Sequence, residues 1–421
     1  MSDKPFLAIT MGDAAGIGPE VTAKTLVDPA IYKKCRPFVV GNTDAMSDAL
    51  RLIKSDLKAV KSQTLEDISG EFGQIEVLDL NNLNYSAITH GQISEESGNA
   101  TVEWILKAGE LAASGAIQAI CTAPINKEAC NLAGHKDIGH MEIFQSQTGA
   151  DDVATMLMAR QLRVVHLTTH RSLRIACDYV TKENVLGKIM LTNEHFKRWG
   201  YSEPRIGVAA LNPHASDGGL LGCEEFDEIR PAVHEAKAKG VLVEGPVPAD
   251  TVFNQNIDGK FDVCLAMYHD QGHIPIKVHD WKRSVSVNLG LPFIRITPDH
   301  GVAENIMGKK IANPTSLIHS IKFFNTKVTE LESKHLIKSN KERQVPDKDP
   351  RNFSWCQKTL TNLLKENEIS YNKGNHYRDF TYIDDVVSII SKILIINTKS
   401  QSQDFHQIYN VGKGNPQYLM K

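Results

Sequence analysis

The sequence lacks the features that mark membrane, secreted and nucleic-acid-binding proteins. No apolar run reaches the roughly 18 residues that a membrane-spanning helix needs. The N-terminus has no basic segment followed by a long apolar one, so we expect no signal peptide. The seven cysteines include no C-x-x-C pair, which excludes a disulfide scaffold. The 47 basic residues are balanced by 50 acidic ones, so the charge does not point to nucleic acid. We expect a cytoplasmic protein with reduced thiols.

What the chain does have is the pattern of an α/β protein. It is 421 residues long and 41% hydrophobic, enough for a large core in two or three domains. Apolar strand-like runs alternate with helical stretches; the runs include residues 6–10, 163–167, 206–210 and 263–267. Helical spacing predicts one apolar helix face, made by Val102, Ile105, Leu106 and Gly109. This alternation predicts a mostly parallel sheet with ligands at the carboxyl ends of its strands.

The composition changes after residue 325. Residues 326–350 are rich in Lys, Glu, Ser and Asn and contain Pro346 and Pro350, which predicts a linker. Residues 353–364 and 381–396 predict short helices beyond it. We therefore divide the chain into a domain at 1–325, built of two interleaved α/β subdomains, a linker at 326–350 and a C-terminal part at 351–421.

A glycine-rich segment at residues 11–20 follows the first predicted strand. Its glycines allow a tight turn, and Pro19 suits the first turn of a helix. Such a helix N-terminus could face a phosphate. The spacing is not G-x-G-x-x-G and no acidic ribose partner follows, which disfavours an ordinary Rossmann unit. A plain strand-to-helix turn is an equally good interpretation.

Three histidines follow predicted strands and precede polar or glycine-rich sequence: His170, His214 and His269. Three neutral imidazoles that leave one position open form a catalytic divalent-metal site. A parallel sheet can bring such distant residues to one edge. The chain has 16 histidines, however, so a surface or hydrogen-bonding role is the alternative for each.

Two further segments could bind a polar ligand. His140 and Glu142 suit either a substrate contact or a helix cap. Arg295, at the end of a predicted strand, could form paired hydrogen bonds with a phosphate or carboxylate. The loop at residues 300–303 could lay its backbone against a flat adenine, although composition alone does not show this.

Taken together, these motifs resemble the 4-hydroxythreonine-4-phosphate dehydrogenase family of pyridoxal phosphate biosynthesis. The resemblance spans residues 5–322 and is carried by residues 16–20, 122–127, 139–140, 169–170, 212–215, 268–272, 290–295 and 299–301. Residues 300–315 are also similar to the cofactor loop of isocitrate and isopropylmalate dehydrogenases. The resemblance implies their two-domain α/β fold with a mostly parallel sheet.

The same resemblance implies the site residues and their partners. The implied metal ligands, for zinc, magnesium or cobalt, are His170, His214 and His269. The implied catalytic residues are Lys277, Asp270 and His140. The implied substrate contacts are His140, Met141, Lys277, Ser286, Asn288 and Arg295. The implied contacts to NAD or NADP are His300, Gly301, Ala303 and Asn313. The resemblance also implies a homodimer whose active site takes one ligand histidine from the neighbouring subunit.

The implied reaction is NAD-dependent oxidation of the C3 hydroxyl of 4-phosphooxy-L-threonine, followed by decarboxylation, with the metal as Lewis acid. Met141 and Ser286 depart from the family pattern, which usually has Thr and Asn there. Glu304 and Asn305 depart from it in the cofactor loop. His273 is similar to the 4-phospho-D-threonate and 4-phospho-D-erythronate dehydrogenases, which gives an alternative substrate. A catalytically inactive binding protein on the same fold is a second alternative.

The C-terminal part has a resemblance of its own. Residues 378–386 and 408–412 are similar to the C-terminal lobe of nucleotide-sugar epimerases and dehydratases. The glycine-rich NAD loop and the Tyr-x-x-x-Lys pair of those enzymes have no counterpart in the chain, so we do not expect their reaction. We expect a fused epimerase-like fragment, a partial α/β appendage that packs poorly, or an artefact of the gene model.

Overall fold

The computed structural model describes residues 4–137 and 139–333. The predictions for residues 334–421, including most of the linker and the epimerase-like part, lie outside these residues. The last described helix covers Thr315–Ser333 and so continues past residue 325.

Strands and helices alternate along the described chain. The strands are β1 (Phe6–Thr10), β2 (Arg36–Gly41), β3 (Ala59–Ser62), β4 (Ile75–Asp79), β5 (Ala119–Thr122), β6 (Ala154–Ala159), β7 (Leu162–His166), β8 (Ile206–Ala209), β9 (Val243–Val247), β10 (Val263–Ala266), β11 (Val285–Leu289) and β12 (Ile294–Pro298). The α-helices are α1 (Gly18–Leu26), α2 (Thr43–Ile53), α3 (Glu95–Ala113), α4 (Lys127–Leu132), α5 (His140–Thr148), α6 (Leu173–Asp178), α7 (Lys182–Arg198), α8 (Arg230–Ala238), α9 (Ala249–Ile257), α10 (His269–Asp280) and α11 (Thr315–Ser333).

All these strands form one sheet in the order β3-β4-β2-β1-β5-β12-β11-β6-β7-β10-β8-β9. Neighbours are parallel except for β12 with β11, β11 with β6 and β6 with β7. The two ends of the sheet therefore consist of parallel strands that run in opposite directions. The predicted α/β class with a mostly parallel sheet is confirmed.

The apolar runs form strands because they are buried on both faces. Every residue of β10 is buried, as expected for a strand covered by helices on both sides. The predicted run at residues 6–10 coincides with β1, and the other three predicted runs end within one residue of β7, β8 and β10.

The predicted apolar face of α3 is correct at three of its four positions. Val102, Ile105 and Gly109 are buried. Leu106 was placed wrongly, because 38% of its surface is exposed. It lies at the edge of the face, next to the ion pair between Lys107 and Glu110 at 3.0 Å, where the helix meets solvent.

The glycine-rich segment forms a tight connection between β1 and α1. Gly12 has a φ of +73°, and a Cβ atom there would lie 2.2 Å from the carbonyl oxygen of Pro124. Only glycine fits this close approach. Pro19 occupies the first turn of α1, as predicted.

The backbone N–H groups of this connection are used within the protein. Ala15 donates to the Asp13 carboxylate at 2.9 Å, and Gly16 donates to the Asp13 carbonyl oxygen at 3.1 Å. Ile17 donates to the carbonyl oxygen of Val302 at 3.1 Å. The plain strand-to-helix turn therefore describes this segment better than a phosphate cradle does.

The six cysteines among the described residues are all free thiols, in agreement with the prediction. Among the helices that the structure describes, none is both long enough and apolar enough to cross a bilayer.

Candidate active site

The three predicted metal ligands follow the carboxyl ends of three neighbouring strands. His170 follows β7, His214 follows β8 and His269 begins α10 directly after β10. These three strands are adjacent and parallel, with β10 in the middle. Their carboxyl ends therefore point the same way, as the sequence argument required.

Two of the three rings lie close together within a larger group. The centroids of His170 and His269 are 6.0 Å apart. His273, one helical turn after His269, stacks on it at 3.5 Å, and His166 lies 4.6 Å from His273. We call these four residues the histidine cluster.

His214 contacts Asp217 rather than the other two histidines. It lies in a short segment, Pro213–Gly219, in which five consecutive residues from 214 to 218 have positive φ. Left-handed backbone costs about 1–2 kcal/mol per non-glycine residue, so the surrounding structure must hold this segment in place.

Within residues 4–137 and 139–333 of a single chain, no three His, Cys, Asp or Glu side chains form a group that could hold a metal ion. The three-histidine site remains a prediction.

The chemistry of these imidazoles suits metal binding. His269 Nδ1 lies 2.7 Å from the Asp270 carboxylate, and His214 Nδ1 lies 3.2 Å from the Asp217 carboxylate. When Nδ1–H donates a hydrogen bond to a carboxylate, the Nε2 lone pair of the neutral imidazole is left for a cation. The pKa of His170 is lowered by partial burial and then by the charge of Lys127, which favours the neutral, ligating form.

A buried arginine forms the second part of the site. Arg295 on β12 donates from Nη1 to Asn288 Oδ1 on β11 at 2.6 Å. It donates from Nη2 to Thr122 Oγ1, at the end of β5, also at 2.6 Å. Burial lowers the pKa of Arg295 to about 10, so the guanidinium stays charged at neutral pH. Ser286 is buried two residues before Asn288, on the same face of β11.

Three buried polar atoms at this arginine have no hydrogen-bond partner within the described structure: Arg295 Nε, Asn288 Nδ2 and His140 Nε2. Buried polar groups are nearly always satisfied, so such a set marks a place for a ligand. His140 begins α5, and its pKa is lowered well below the usual value by burial and then by the charges of Arg295 and Lys127. Met141, the next residue, accepts a long hydrogen bond from Thr155 Oγ1 at 3.5 Å.

The other predicted catalytic residue, Lys277 on α10, is held by Asp299. The two side chains form a short ion pair, and Lys277 Nζ also donates to the Asp299 carbonyl oxygen at 3.0 Å. Ser284 Oγ donates to the same carboxylate at 3.1 Å. The ammonium group is therefore fixed by a neighbour that the sequence reasoning missed.

The predicted cofactor contacts lie in the loop between β12 and α11. His300 Nδ1 lies 3.1 Å from the carbonyl oxygen of Gly301, and Ala303 has a φ of +45°. Asn313 Oδ1 accepts from the backbone of Thr315 at 2.9 Å, just at the start of α11.

This loop is tied to α1 by two side chains that sequence reasoning did not assign. Glu20 accepts from the backbone N–H of Ala312 at 3.0 Å. Lys24 donates to the carbonyl oxygens of Lys310 and Ala312 at 3.0 and 2.7 Å. Glu20 belongs to the Gly-Pro-Glu motif at residues 18–20, so the sequence did contain a signal for the contact between α1 and this loop.

Lys127 and His166 were also missed. Lys127 begins α4, and its charge acts on both His140 and His170, which links the arginine pocket to the histidine cluster. His166 ends β7 with its ring buried, and Gly272 leaves the space that this ring occupies, because a Cβ there would lie 2.3 Å from His166 Nε2.

Comparison with known protein families assigns most of the described chain to one family. The profile of the family described as "Pyridoxal phosphate biosynthetic protein PdxA" matches residues 33–324. The chain belongs to the PdxA family. The epimerase-like part lies outside the matched residues.

Related PdxA-family proteins cover most of the chain. A protein of Oceanobacillus iheyensis named "Putative D-threonate 4-phosphate dehydrogenase" is 43% identical over 325 residues, which are 76% of this chain and 97% of the relative. A protein of Halalkalibacterium halodurans with the same name is 40% identical over 322 residues, covering 76% and 96%.

Two solved PdxA-family structures have a similar fold. The 4-hydroxythreonine-4-phosphate dehydrogenase of Burkholderia phymatum is 40% identical with a TM-score of 0.70, covering 77% of this chain and 98% of that one. The enzyme of the same name from Klebsiella pneumoniae is 38% identical with a TM-score of 0.73 and the same coverage. These relatives confirm the prediction of a dehydrogenase.

Proposed function

We propose that this PdxA-family protein oxidises the C3 hydroxyl of D-threonate 4-phosphate with NAD and a divalent metal, and that the resulting β-keto acid loses its carboxylate as carbon dioxide. The observation that carries the proposal is the group of unpartnered buried atoms around Arg295. A ligand with several oxygen atoms satisfies such atoms, and a buried guanidinium selects an anionic one.

The charge of the pocket favours a hydroxy acid over an amino acid. Arg295 and Lys127 each lower the pKa of His140, and the Glu142 carboxylate, which acts on Arg295 and His170, offsets part of their positive charge. The 2-amino group of 4-phosphooxy-L-threonine would add a further positive charge, whereas the 2-hydroxyl of D-threonate 4-phosphate would not. The names of the curated relatives support the same choice.

4-Phosphooxy-L-threonine is the second candidate, and the names of the two solved structures favour it. The sequence motifs alone rank it first. The departures at Met141 and Ser286, and the presence of His273 in the histidine cluster, count against it in this chain.

The residues fit a divalent metal and a nicotinamide cofactor. His170 and His269, with His214 from a second copy of the chain, would hold the metal, and the loop at residues 300–313 would hold NAD or NADP. When bound, the metal supplies Lewis-acid stabilisation of a developing alkoxide and the cofactor accepts hydride.

The chain's own side chains orient the substrate. Arg295 and Lys277 would bind its carboxylate and phosphate, which aligns C3 for the reaction. Asp270 is a positioning residue, because it fixes the imidazole of His269. His140 is neutral at neutral pH because its pKa is lowered, so its Nε2 can exchange a hydrogen bond with a substrate hydroxyl.

An exposed apolar stripe supports the predicted homodimer. Ile274 and Val278 lie four residues apart on one face of α10, and Trp281 follows the end of that helix; the three are 58%, 81% and 71% exposed. Three large exposed apolar side chains close together along the chain favour an interface with another protein surface. We propose that a second copy covers this stripe and brings its His214 towards the histidine cluster.

A panel of three phosphorylated acids tests the substrate. Metal-loaded enzyme and NAD are mixed with D-threonate 4-phosphate, D-erythronate 4-phosphate or 4-phosphooxy-L-threonine, and NADH absorbance and released carbon dioxide are followed. We expect the highest kcat/KM for D-threonate 4-phosphate. A higher value for 4-phosphooxy-L-threonine would reverse the ranking, and no turnover on any of the three would favour the inactive binding protein.

A further inference from the structure

A cavity lies on the opposite face of the sheet from Ser286 and Asn288. It has a volume of about 520 Å³, which is within the range of small-molecule sites. Val285 on β11 and Met158 on β6 line it and pair with each other across the two strands. Because side chains alternate along β11, Val285 points away from the face that carries Ser286 and Asn288.

The cavity is strongly basic. Five Lys or Arg side chains line it: Arg160, Arg163, Arg283, Lys322 and Lys327. Among the described residues, none of those that line it is Asp or Glu. Two carboxylates act on its cations: Asp280 lies 2.7 Å from Arg160 and 3.6 Å from Arg283, and the charge of Asp262 interacts with Arg163, so together they offset part of this charge.

A titratable side chain in the wall responds to this charge. His319 on α11 lines the cavity, and its pKa is lowered by burial and then by the charges of Lys322 and Arg283. His319 on α11 is therefore affected both by a cation on its own helix and by Arg283, which lies in the segment after α10.

One wall of the cavity is aromatic, which strengthens the attraction for an anion. Trp199 and Phe323 are in edge contact with ring centroids 5.9 Å apart, and Lys327 Nζ lies 5.1 Å from the centroid of Tyr201. Aromatic surface excludes water and lowers the local dielectric constant, so the buried Lys327 beside it attracts an anion more strongly than the exposed cations of the cavity do.

We propose that this basic cavity binds a small polyanion of the phosphate class, such as a polyphosphate or a compound with more than one phosphate group. A polyanion can contact cations from β7, α11 and the segment after α10 at once, whereas a single monoanion can reach only some of them. The site is separate from the substrate pocket, and the proposal does not depend on the identity of the substrate.

Methionine methyl NMR of the full chain tests the proposal, with inorganic pyrophosphate as the probe. Met158 lines the basic cavity and Met141 lies at the substrate pocket, so their labelled methyl groups report on the two sites separately. We expect a saturable shift of the Met158 resonance that also develops in a Lys277→Ala variant. No Met158 shift, or one that disappears in Lys277→Ala, would overturn the proposal.

Two charge variants complete the test. In Arg283→Ala/Lys322→Ala, which removes two exposed side chains, we expect the apparent Kd read from Met158 to rise at least tenfold. The matched control, Lys33→Ala/Lys237→Ala, removes two exposed charges outside the cavity and should leave that Kd within twofold of wild type. Equal weakening in both variants would mean a non-specific effect of net charge and would contradict a built site.

Discussion

Arg295 and Asn288 lie on neighbouring antiparallel strands, and the guanidinium of the first donates a 2.6 Å hydrogen bond to the amide oxygen of the second. Both side chains are buried, and each keeps one polar atom without a partner within the described structure. The hydrogen bond therefore holds a guanidinium in the middle of the sheet, with polar atoms of both side chains left over.

Removing the amide should loosen the guanidinium. Asn288→Ala deletes a hydrogen bond to a charged group, worth about 1.5–3 kcal/mol. We therefore expect kcat/KM to fall by roughly 10- to 100-fold. Steady-state kinetics measure this, and Asn131→Ala, which alters an exposed asparagine, should change nothing. Wild-type kinetics in Asn288→Ala would contradict the claim that Asn288 positions Arg295 for the substrate.

The ion pair between Lys277 and Asp299 should control substrate affinity. Asp299→Asn keeps the shape but removes the charge that holds the ammonium group. We expect KM for the phosphorylated acid to rise about tenfold with a smaller change in kcat. Ser284→Ala, which removes a neutral hydrogen bond to the same carboxylate, should have a weaker effect. If the two variants behave alike, the charge of Asp299 is not what positions Lys277.

The stability of the protein should fall with acidification because of buried neutral histidines. His195 on α7 accepts a hydrogen bond from the backbone of Gly290 at 3.3 Å, and burial lowers its pKa to about 4. Because the folded-state pKa lies below the unfolded value, the unfolded chain binds more protons in this pH range. The contribution of His195 to the free energy of unfolding is therefore fully present above about pH 6.5 and is lost as the pH falls towards 4.

This one residue should account for roughly 2 kcal/mol of the free energy of unfolding lost between pH 7 and pH 5. Urea titrations at the two pH values measure the loss. In His195→Gln the difference between them should shrink by about that amount, although the variant is less stable at pH 7. An unchanged difference would show that His195 titrates normally in the folded protein.

A shared active site predicts complementation between inactive variants. His214→Ala and Lys277→Ala should each be inactive alone. In a mixed dimer, one of the two sites would carry both substitutions and the other would carry neither. After unfolding and refolding an equal mixture, we expect about one quarter of wild-type activity by the same dimer arithmetic. If the mixture is as inactive as its components, His214 acts within its own subunit or not at all.

Part of the candidate site could be singled out from the sequence because single strands carry local signals. His170, His214 and His269 each follow an apolar run, and these runs form adjacent parallel strands; the meeting of the three side chains at one metal stays a prediction. Arg295 was singled out as a basic residue at the end of a predicted strand; the structure instead places it second in β12, where it is buried.

Other contacts depend on which helices and strands pack against each other. Local residue spacing does not predict that packing. The histidine cluster needs β7 beside β10, so that the ring of His166 meets His273 above Gly272. The pairing of Lys277 with Asp299 joins a helix to the end of a distant strand. The exposure of Leu106 depends on where its neighbours leave α3 open to solvent.

The most direct test of the account is a crystal structure of the metal-loaded protein with D-threonate 4-phosphate, with the cation located by anomalous scattering. The account predicts one strong peak between the Nε2 atoms of His170 and His269 and the His214 of a second copy, with an anionic group of the ligand on Arg295. A cation bound elsewhere, or a His214 that stays away from the peak in every copy, would contradict it.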